Sequence, residues 1–374
     1  MHVLHMIDAL SIGGAEMLLI TFASQAHLHG VKMTVIGLYN DQDTPIIQSL
    51  KELGVQIEIF PGKHLFSLRR ILKIIRFIKR KKIDLMQTHS PYANVLGGLA
   101  GWFAGVPVIA TLHTTRVTFR RLNYLHNRIE FWVIKYFVKR VVAVGQSVAD
   151  VYRDRLGKKH VDVICNAVLP SITLNGLERQ SLRNEFSIAL SSPLIIAVGR
   201  IVSDKGFGDL ISAFTPIHAR YPKARLLIIG DGDLLNRIKK QVSVLKLEDA
   251  VHLPGERYDV PQWLAASDIF ISSSHWEGLP LVVLEAMMAG LPIIATAVGD
   301  LPQVVTPDIG FIVPPHDPLQ ISQALLTLLE HPQRRHEMGR AAQKKAIQQY
   351  SAIAWFKKIM DLYYDVLHRA PGSY

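Results

Sequence analysis

The sequence predicts an α/β protein of two doubly wound halves, each a largely parallel sheet flanked by helices. Three observations predict it. Short apolar runs of strand length alternate with helix-period stretches along the chain; the alternation restarts after a polar interruption near the middle; and 374 residues with 49% hydrophobic content exceed what one core usually accommodates. Two Rossmann-like domains are therefore expected.

The first half opens with a strand at residues 3–7, a glycine turn at Gly13 and Gly14, a helix at 15–29 and a strand at 32–38, which make one βαβ unit. Further strands are expected near 55–60, 84–88, 106–112 and 141–144, separated by helical stretches that include 68–81 and 123–138. Between 164 and 193 the apolar rhythm gives way to Asn166, Pro170, Asn175 and Gly176, which places the domain boundary there and gives domains at 1–166 and 167–350. The second half restarts with strands near 194–198, 225–229, 251–253, 269–272, 292–296 and 310–313. Residues 351–374 carry Trp355, Phe356, Ile359, Leu362, Tyr363 and Val366 at helical spacing, a packing helix expected to cross back to the first domain. Ligands of open α/β sheets bind at the carboxyl ends of the strands, so two such edges facing a central cleft would hold the active site.

Composition excludes several classes. No low-complexity tract or collagen-like period is present, which rules out a disordered or fibrous chain. Cys165 is the sole cysteine, so an intrachain disulfide and a cysteine zinc cluster are both excluded and a cytoplasmic, reducing compartment is expected. Residues 1–8 lack the basic start and small-residue cleavage site of a signal peptide. Residues 85–115 contain no Asp, Glu, Lys or Arg, yet Gly105, Val106 and Pro107 divide them into helix, turn and buried strand rather than a membrane span. The net charge of +11 is one-sided: residues 1–166 hold 22 Lys and Arg against 11 Asp and Glu, whereas 167–374 hold 20 of each. A positive field over the first half suits a polyanion or an anionic membrane face.

The strongest chemical constellation follows the strand at 269–272 and runs Ser274, His275, Trp276, Glu277, Gly278, Leu279, Pro280, then apolar residues to Glu285. Glutamates eight apart identify nothing by spacing, since Glu248 and Glu256 share it. Context is what matters: Glu277 lies in the loop after a strand, Gly278 and Pro280 mark the turn into a helix, and Glu285 falls in its second turn. Backbone N–H groups around Gly278, Leu279 and Leu281 can hold a phosphate at the helix start, while carboxylates accept from sugar hydroxyls, Glu285 from a ribose and Glu277 from a hexose. Structural roles as a helix-start acid and a surface carboxylate stay open at this point.

Upstream, the strand at 194–198 runs into Gly199, Arg200 and then Lys205-Gly206. Two cations five residues apart on a glycine-framed turn can converge on a diphosphate, the guanidinium as a fork and the ammonium as a point charge. In the first half Gly13-Gly14-Ala15-Glu16 starts a helix after the opening strand, as a phosphate-approaching turn would, without completing the dinucleotide fingerprint. His113 ends the buried strand of residues 108–112, where it can hydrogen-bond a sugar or a structural carbonyl. Asp231-Gly232-Asp233 has the look of a metal-binding D-x-D but follows a strand as a glycine turn, so no metal is assigned to it.

In order, Gly13-Gly14-Ala15-Glu16, Thr111-Leu112-His113, Asn166, Gly199-Arg200 with Lys205-Gly206, Gly230-Asp231-Gly232, and Glu277 to Glu285 make the chain resemble glycosyltransferase family 4 over nearly its whole length. The resemblance implies a GT-B fold, a nucleotide-sugar donor that is a substrate rather than a cofactor, no metal requirement, and transfer with retention of anomeric configuration. It implies that Arg200 and Lys205 bind the diphosphate, Glu285 and Glu277 the ribose and donor sugar, that the Gly14 turn closes on the phosphate, and that His113 contacts the transferred sugar. It places the nucleobase near Leu253, Gly255, Glu256 and Arg257, with uridine the commonest base in such families. The expected reaction is front-face, the departing phosphate oxygen taking the acceptor proton, with Asp8 the one weak candidate for a nucleophile.

On the acceptor side, residues 63–82 contain Lys63, Arg69, Arg70, Lys73, Arg76, Lys79, Arg80, Lys81 and Lys82 and no acid. Arg69, Lys73, Arg76 and Arg80 share one helical face and Leu68, Ile71, Leu72, Ile75 and Ile78 another; Arg116, Arg120, Arg121 and Arg128 follow, with Phe119, Tyr124 and Trp132 near them. Peripheral contact with the inner face of the cytoplasmic membrane is expected, together with a glycan or lipid-linked acceptor of cell-surface polysaccharide or lipopolysaccharide synthesis. Three rivals remain. A nicotinamide oxidoreductase would need more than the marginal ribose acid of Leu38-Tyr39-Asn40-Asp41; a GT-B nucleotide-sugar epimerase would turn over donor alone; and a nucleic-acid binder, which is not expected, leaves the second half's phosphate loops without a purpose.

Overall fold

The computed structural model describes residues 1–374 apart from 12, 40–43, 63–66, 116–120, 158 and 369–374, and only the backbone of 121–125. Lys63, Arg116, Phe119, Arg120, Asn40 and Asp41, and the side chains of Arg121 and Tyr124, lie outside the described residues. The chain divides into two units, one of Met1–Ala167 with Ala352–Tyr374 and one of Val168–Ser351.

The first unit runs β1 (His2–Ile7), α1 (Gly14–Leu28), β2 (Lys32–Gly37), α2 (Pro45–Glu52), β3 (Gln56–Ile59), α3 (Leu68–Lys81), β4 (Leu85–Thr88), α4 (Pro91–Ala104), β5 (Val108–Leu112), α5 (Arg121–Phe137), β6 (Arg140–Ala143), α6 (Gln146–Leu156) and β7 (Val161–Val163). Its seven strands are parallel in the order β3-β2-β1-β4-β5-β6-β7, so the winding reverses between β1 and β4. Central strands buried on both faces read as apolar runs, as β1, β4 and β5 do. The uncharged residues 85–115 fold as a buried strand, a helix ended by Gly105 in the left-handed conformation, and a second strand; no helix among the described residues is long and apolar enough to cross a membrane. Small residues let α4 lie close on its neighbours: a Cβ on Gly97, Gly98 or Gly101 would come within 2.6 Å of Thr88, Val133 and Val108 respectively.

The second unit runs α7 (Gly176–Asn184), β8 (Leu194–Val198), a one-turn 3-10 helix (Ser203–Lys205), α8 (Phe207–Arg220), β9 (Arg225–Ile229), α9 (Leu235–Val244), β10 (Val251–Gly255), α10 (Val260–Ala266), β11 (Ile269–Ser272), α11 (Leu281–Met288), β12 (Ile293–Thr296), α12 (Leu301–Val304), β13 (Gly310–Val313), α13 (Pro318–Glu330) and α14 (Pro332–Gln349). Its six strands are ordered β10-β9-β8-β11-β12-β13, with the reversal between β8 and β11. The last helix, α15 (Ala352–Leu367), belongs to the first unit, where Phe356 and Tyr363 pack at 5.2 and 5.9 Å from the Phe22 ring of α1.

The segment expected to be a polar interruption folds as part of the second unit. Asn175 and Glu178 form a capping box that starts α7. Its Arg183, fully buried, donates to the carbonyls of Ala266 at 2.7 Å and Ser192 at 2.9 Å and to Asp268 Oδ2 at 2.8 Å, and Asp268 also accepts from Arg179 and the Leu194 backbone. A buried guanidinium is tolerable when its donors are used in this way. The basic stretch likewise splits by burial. Arg69, Lys73, Arg76, Lys79 and Arg80 of α3 are exposed, but Arg70 is 6% exposed and donates to the carbonyls of Phe60 and Leu38, so it braces the fold and is withdrawn from any membrane-facing role.

Candidate active site

In the second unit, β8 and β11 are neighbours although two strands, β9 and β10, lie between them in sequence, so the loops that leave their carboxyl ends meet at the switch point of the sheet. Glycine makes the first loop possible. Gly230 has φ +146° and a Cβ there would lie 2.0 Å from the Gly199 carbonyl; Gly232, at φ +155°, would press on Ile201 in the same way. Gly199 N–H donates to Ile229 O, Ile201 N–H to Asp231 O and Leu234 N–H to Ile201 O, which fastens the Gly199-Arg200-Ile201 turn to the Gly230-Asp231-Gly232 turn. The latter motif serves as backbone packing, and Asp231 Oδ1 accepts from the next N–H.

The 3-10 turn then carries Lys205 back over Gly199, with its Cε 3.4 Å from where a Gly199 Cβ would sit. The ammonium hydrogen-bonds to Glu277 Oε1, which also accepts from Ser274 Oγ at 2.8 Å. Ser273 Oγ donates to Lys205 O at 3.0 Å and His275 N–H to Asp204 O at 2.7 Å, so the two loops are stitched together along several residues. Gly206, at φ +62°, permits the close crossing, because a Cβ there would be 2.1 Å from Ser273 O. Arg200 lies on the same turn, exposed, with no ion pair among the described residues.

Beyond Glu277, the Gly278 carbonyl accepts from Asp300 N–H at 3.0 Å, and the Leu279 and Leu281 side chains are buried, anchoring the start of α11. The first turn of such a helix holds N–H groups with no intrahelical acceptor. Glu285 stands in its second turn, where burial pushes its carboxyl up to about 7. Arg257, after β10, donates four hydrogen bonds to Glu185 and Asp259 and lies 5.5 Å from the Trp263 ring, so its fork is committed within the unit.

In the first unit, Gly13 precedes α1 in extended conformation and its carbonyl accepts from Met17 N–H, while Gly14 is the first helical residue. Asp8 is occupied at a helix start: its Oδ1 accepts from Ala93 N–H at 2.8 Å and its burial raises its pKa. His113 follows β5, and its Nε2 lies 3.2 Å from Nδ1 of His89, whose Nε2 lies 2.9 Å from Nδ1 of His5. Burial lowers all three imidazoles, His113 to about 4 and His5 to about 3. The sequence pointed to His113 alone; the other two join it because β1, β4 and β5 are consecutive in the sheet. Glu130, raised to about 7 by burial, bonds to Asn94 at 2.7 Å and was also missed.

One further group was not foreseen. Asp209, His275 and His316 offer ligand atoms within 4.8 Å of one another, with His275 Nε2 2.7 Å from Asp209 Oδ2.

The signature described as Glycosyltransferase Family 4 matches residues 12–171, and that described as Glycosyl transferases group 1 matches residues 178–345. The chain is 27% identical over 309 residues to N-acetyl-alpha-D-glucosaminyl L-malate synthase of Bacillus anthracis, covering 81% of this chain and 80% of that one. It is 27% identical over 321 residues to the UDP-Gal:alpha-D-GlcNAc-diphosphoundecaprenol alpha-1,3-galactosyltransferase of Escherichia coli, with 80% of each covered. Among solved structures, Anabaena HepE in complex with UDP-glucose superposes with a TM-score of 0.86 at 22% identity, over 98% of this chain and 100% of that one. The fold is GT-B.

Proposed function

The chain belongs to glycosyltransferase family 4 and is a glycosyltransferase; from that premise we infer that it moves a hexose-type sugar from a UDP-sugar to a glycan or lipid-linked acceptor, with retention. The observation that carries the reading is the convergence of Lys205, Glu277 and the start of α11 at the switch point of the second sheet. In the free protein Glu277 holds the Lys205 ammonium. On binding, the ammonium and the Arg200 fork pass to the diphosphate, the helix-start N–H groups complete its cradle, and Glu277 becomes an acceptor for the sugar. Glu285 accepts from the ribose hydroxyls. Arg257 braces the loop assigned to the base.

Bond making and breaking occur on one face of the anomeric carbon: its bond to the phosphate oxygen breaks, its bond to the acceptor oxygen forms, and the acceptor proton goes to the departing phosphate. The engagement of Asp8 with the start of α4 supports this route over a covalent one. Fixed cations and peptide dipoles stabilise the leaving charge in the place a divalent ion would take. Gly13 and Gly14 approach the phosphate, and His113 hydrogen-bonds the transferred sugar.

The E. coli relative's name gives UDP-Gal as its donor and a diphosphoundecaprenol lipid as acceptor, which supports a UDP donor and a lipid-linked acceptor here. Membrane contact by the first unit is supported by the exposed basic face of α3 with Leu68 and Leu72, and by exposed Trp102, Phe103, Trp132 and Tyr136 on α4 and α5. Vesicle flotation with anionic lipids at low and high salt tests this part; no flotation at low salt removes it. The donor assignment is tested by thermal shift with UDP-, GDP- and ADP-sugars. A UDP-sugar should raise Tm and Glu285→Ala should abolish the rise; an unchanged rise in that variant refutes the site.

A further inference from the structure

The three histidines of the first unit form one continuous hydrogen-bonded line. His5 lies in β1, His89 follows β4 and His113 follows β5, and adjacency of those strands brings together residues 84 and 24 apart in sequence. The His5 and His89 ring planes are inclined by 16° and their centroids stand 5.2 Å apart, which is the 2.9 Å N···N distance plus the two ring radii, so the two nitrogens lie on the line between the rings, as an N–H···N bond requires. His5 is 1% exposed and His89 5%, and burial keeps all three rings neutral.

Neutrality makes the line directional. A neutral imidazole has one N–H and one bare nitrogen, so each bond forces the tautomer of the next ring. Only two arrangements satisfy both bonds. In one, every ring carries its proton on Nε2: His113 donates to His89, His89 to His5, and His5 is left with a buried N–H. In the other, every ring carries its proton on Nδ1: His5 donates to His89, His89 donates to His113 Nε2, and His113 presents Nδ1–H as a donor. His5 Nε2 is buried and has no hydrogen-bond partner among the described residues. An orphaned N–H is the costlier end to bury than an orphaned lone pair.

We propose that His5 and His89 are positioning residues that hold His113 in the Nδ1–H tautomer, so that its outward nitrogen is an obligate hydrogen-bond donor to an oxygen of the transferred sugar. This rests on the reading of His113 given above, and extends it from contact to polarity: the oxygen His113 meets must accept. A tautomer fixed in advance costs no rearrangement when the sugar's charge develops.

The first test needs no substrate. Long-range nitrogen–proton correlation spectra of the histidine-labelled full chain should show all three rings as neutral Nδ1–H tautomers; Nε2–H or exchange-averaged signals for His113 would overturn the proposal. The second is kinetic. His89→Phe fills the space without either nitrogen and should lower kcat about 10- to 100-fold with donor KM within threefold, while His89→Asn, whose amide can stand near Nδ1, should recover most of that loss. Equal kcat in wild type and His89→Phe would overturn it, as would a loss in His89→Phe that His89→Asn shares in full. Should His89→Phe fail to fold, the spectra of the wild-type chain still decide. His113→Ala with undiminished transfer would refute the sugar contact itself, and the tautomer spectra tell that failure from a failure of the line.

Discussion

Replacing Lys205 with methionine keeps the length of the stem and removes the ammonium assigned to the donor's diphosphate. In the free protein the Lys205 and Glu277 side chains are 21% and 13% exposed, so their pair is partly screened, and Ser274 Oγ still donates to Glu277 at 2.8 Å when the ammonium is gone. The cost to the fold is therefore about 1 kcal/mol, a fall in Tm of about 2–4 °C. The donor loses more. A charge-assisted hydrogen bond to a phosphate oxygen is worth about 1.5–3 kcal/mol, and the Glu277 carboxylate, without the Lys205 ammonium, then repels the diphosphate. A total of about 2–4 kcal/mol raises Kd for UDP about 30- to 700-fold. Calorimetric titration of UDP into both proteins measures it directly. A Kd within threefold of wild type, in a variant that melts only slightly lower, would refute the assignment of Lys205 to the phosphate.

Glu285 makes binding pH-dependent. Its carboxyl is raised from 4.5 to about 7, so the folded chain keeps a proton that the unfolded chain releases, and the free protein loses stability as pH rises from about 4.5 to about 7. Ribose hydroxyls donate to the ionised form, so UDP should bind more tightly as pH rises through 7, and Glu285→Gln should flatten both trends; titrations at pH 6 and 8 check this. The buried histidines act with the opposite sign. Held below 6.5, His113 at about 4 and His5 at about 3, they give the first unit stability that is present above pH 6.5 and lost as pH falls towards 4. Hydrogen exchange should show β1, β4 and β5 losing protection over that interval, and undiminished protection at pH 4 would contradict the burial argument. Arg183→Ala should destabilise the second unit by about 2–4 kcal/mol, since it takes a buried donor from the Ser192 carbonyl and from Ala266 and Asp268, both of which keep Arg179, and denaturant melts measure it.

What was legible in the sequence was whatever is local along the chain. Strand and helix periods placed nearly all of both sheets, and the Gly199 to Gly206 and Glu277 to Glu285 segments carried their own turn signals. The short strand Val161–Val163 was not seen, because three residues at a sheet edge make too brief a pattern. Helix α7 was taken for an interruption although Asn175 and Glu178, three apart, spelled out its capping box. Contacts that depend on strand order were out of reach. Lys205 and Glu277 meet only because β8 adjoins β11, and His5, His89 and His113 only because β1, β4 and β5 are consecutive. Arg70 looked like its exposed neighbours and is buried instead, a difference set by the carbonyls of Phe60 and Leu38 that tertiary packing brings to it.

A titration of UDP against the intact chain, with excess chelator in the cell, bears most closely on the idea that lysine, arginine and peptide dipoles suffice to hold the nucleotide. One nucleotide should bind per chain, with heat that diminishes as salt is raised. Absence of binding by UDP, GDP and ADP alike, or binding that returns only when magnesium or manganese is restored, would contradict it.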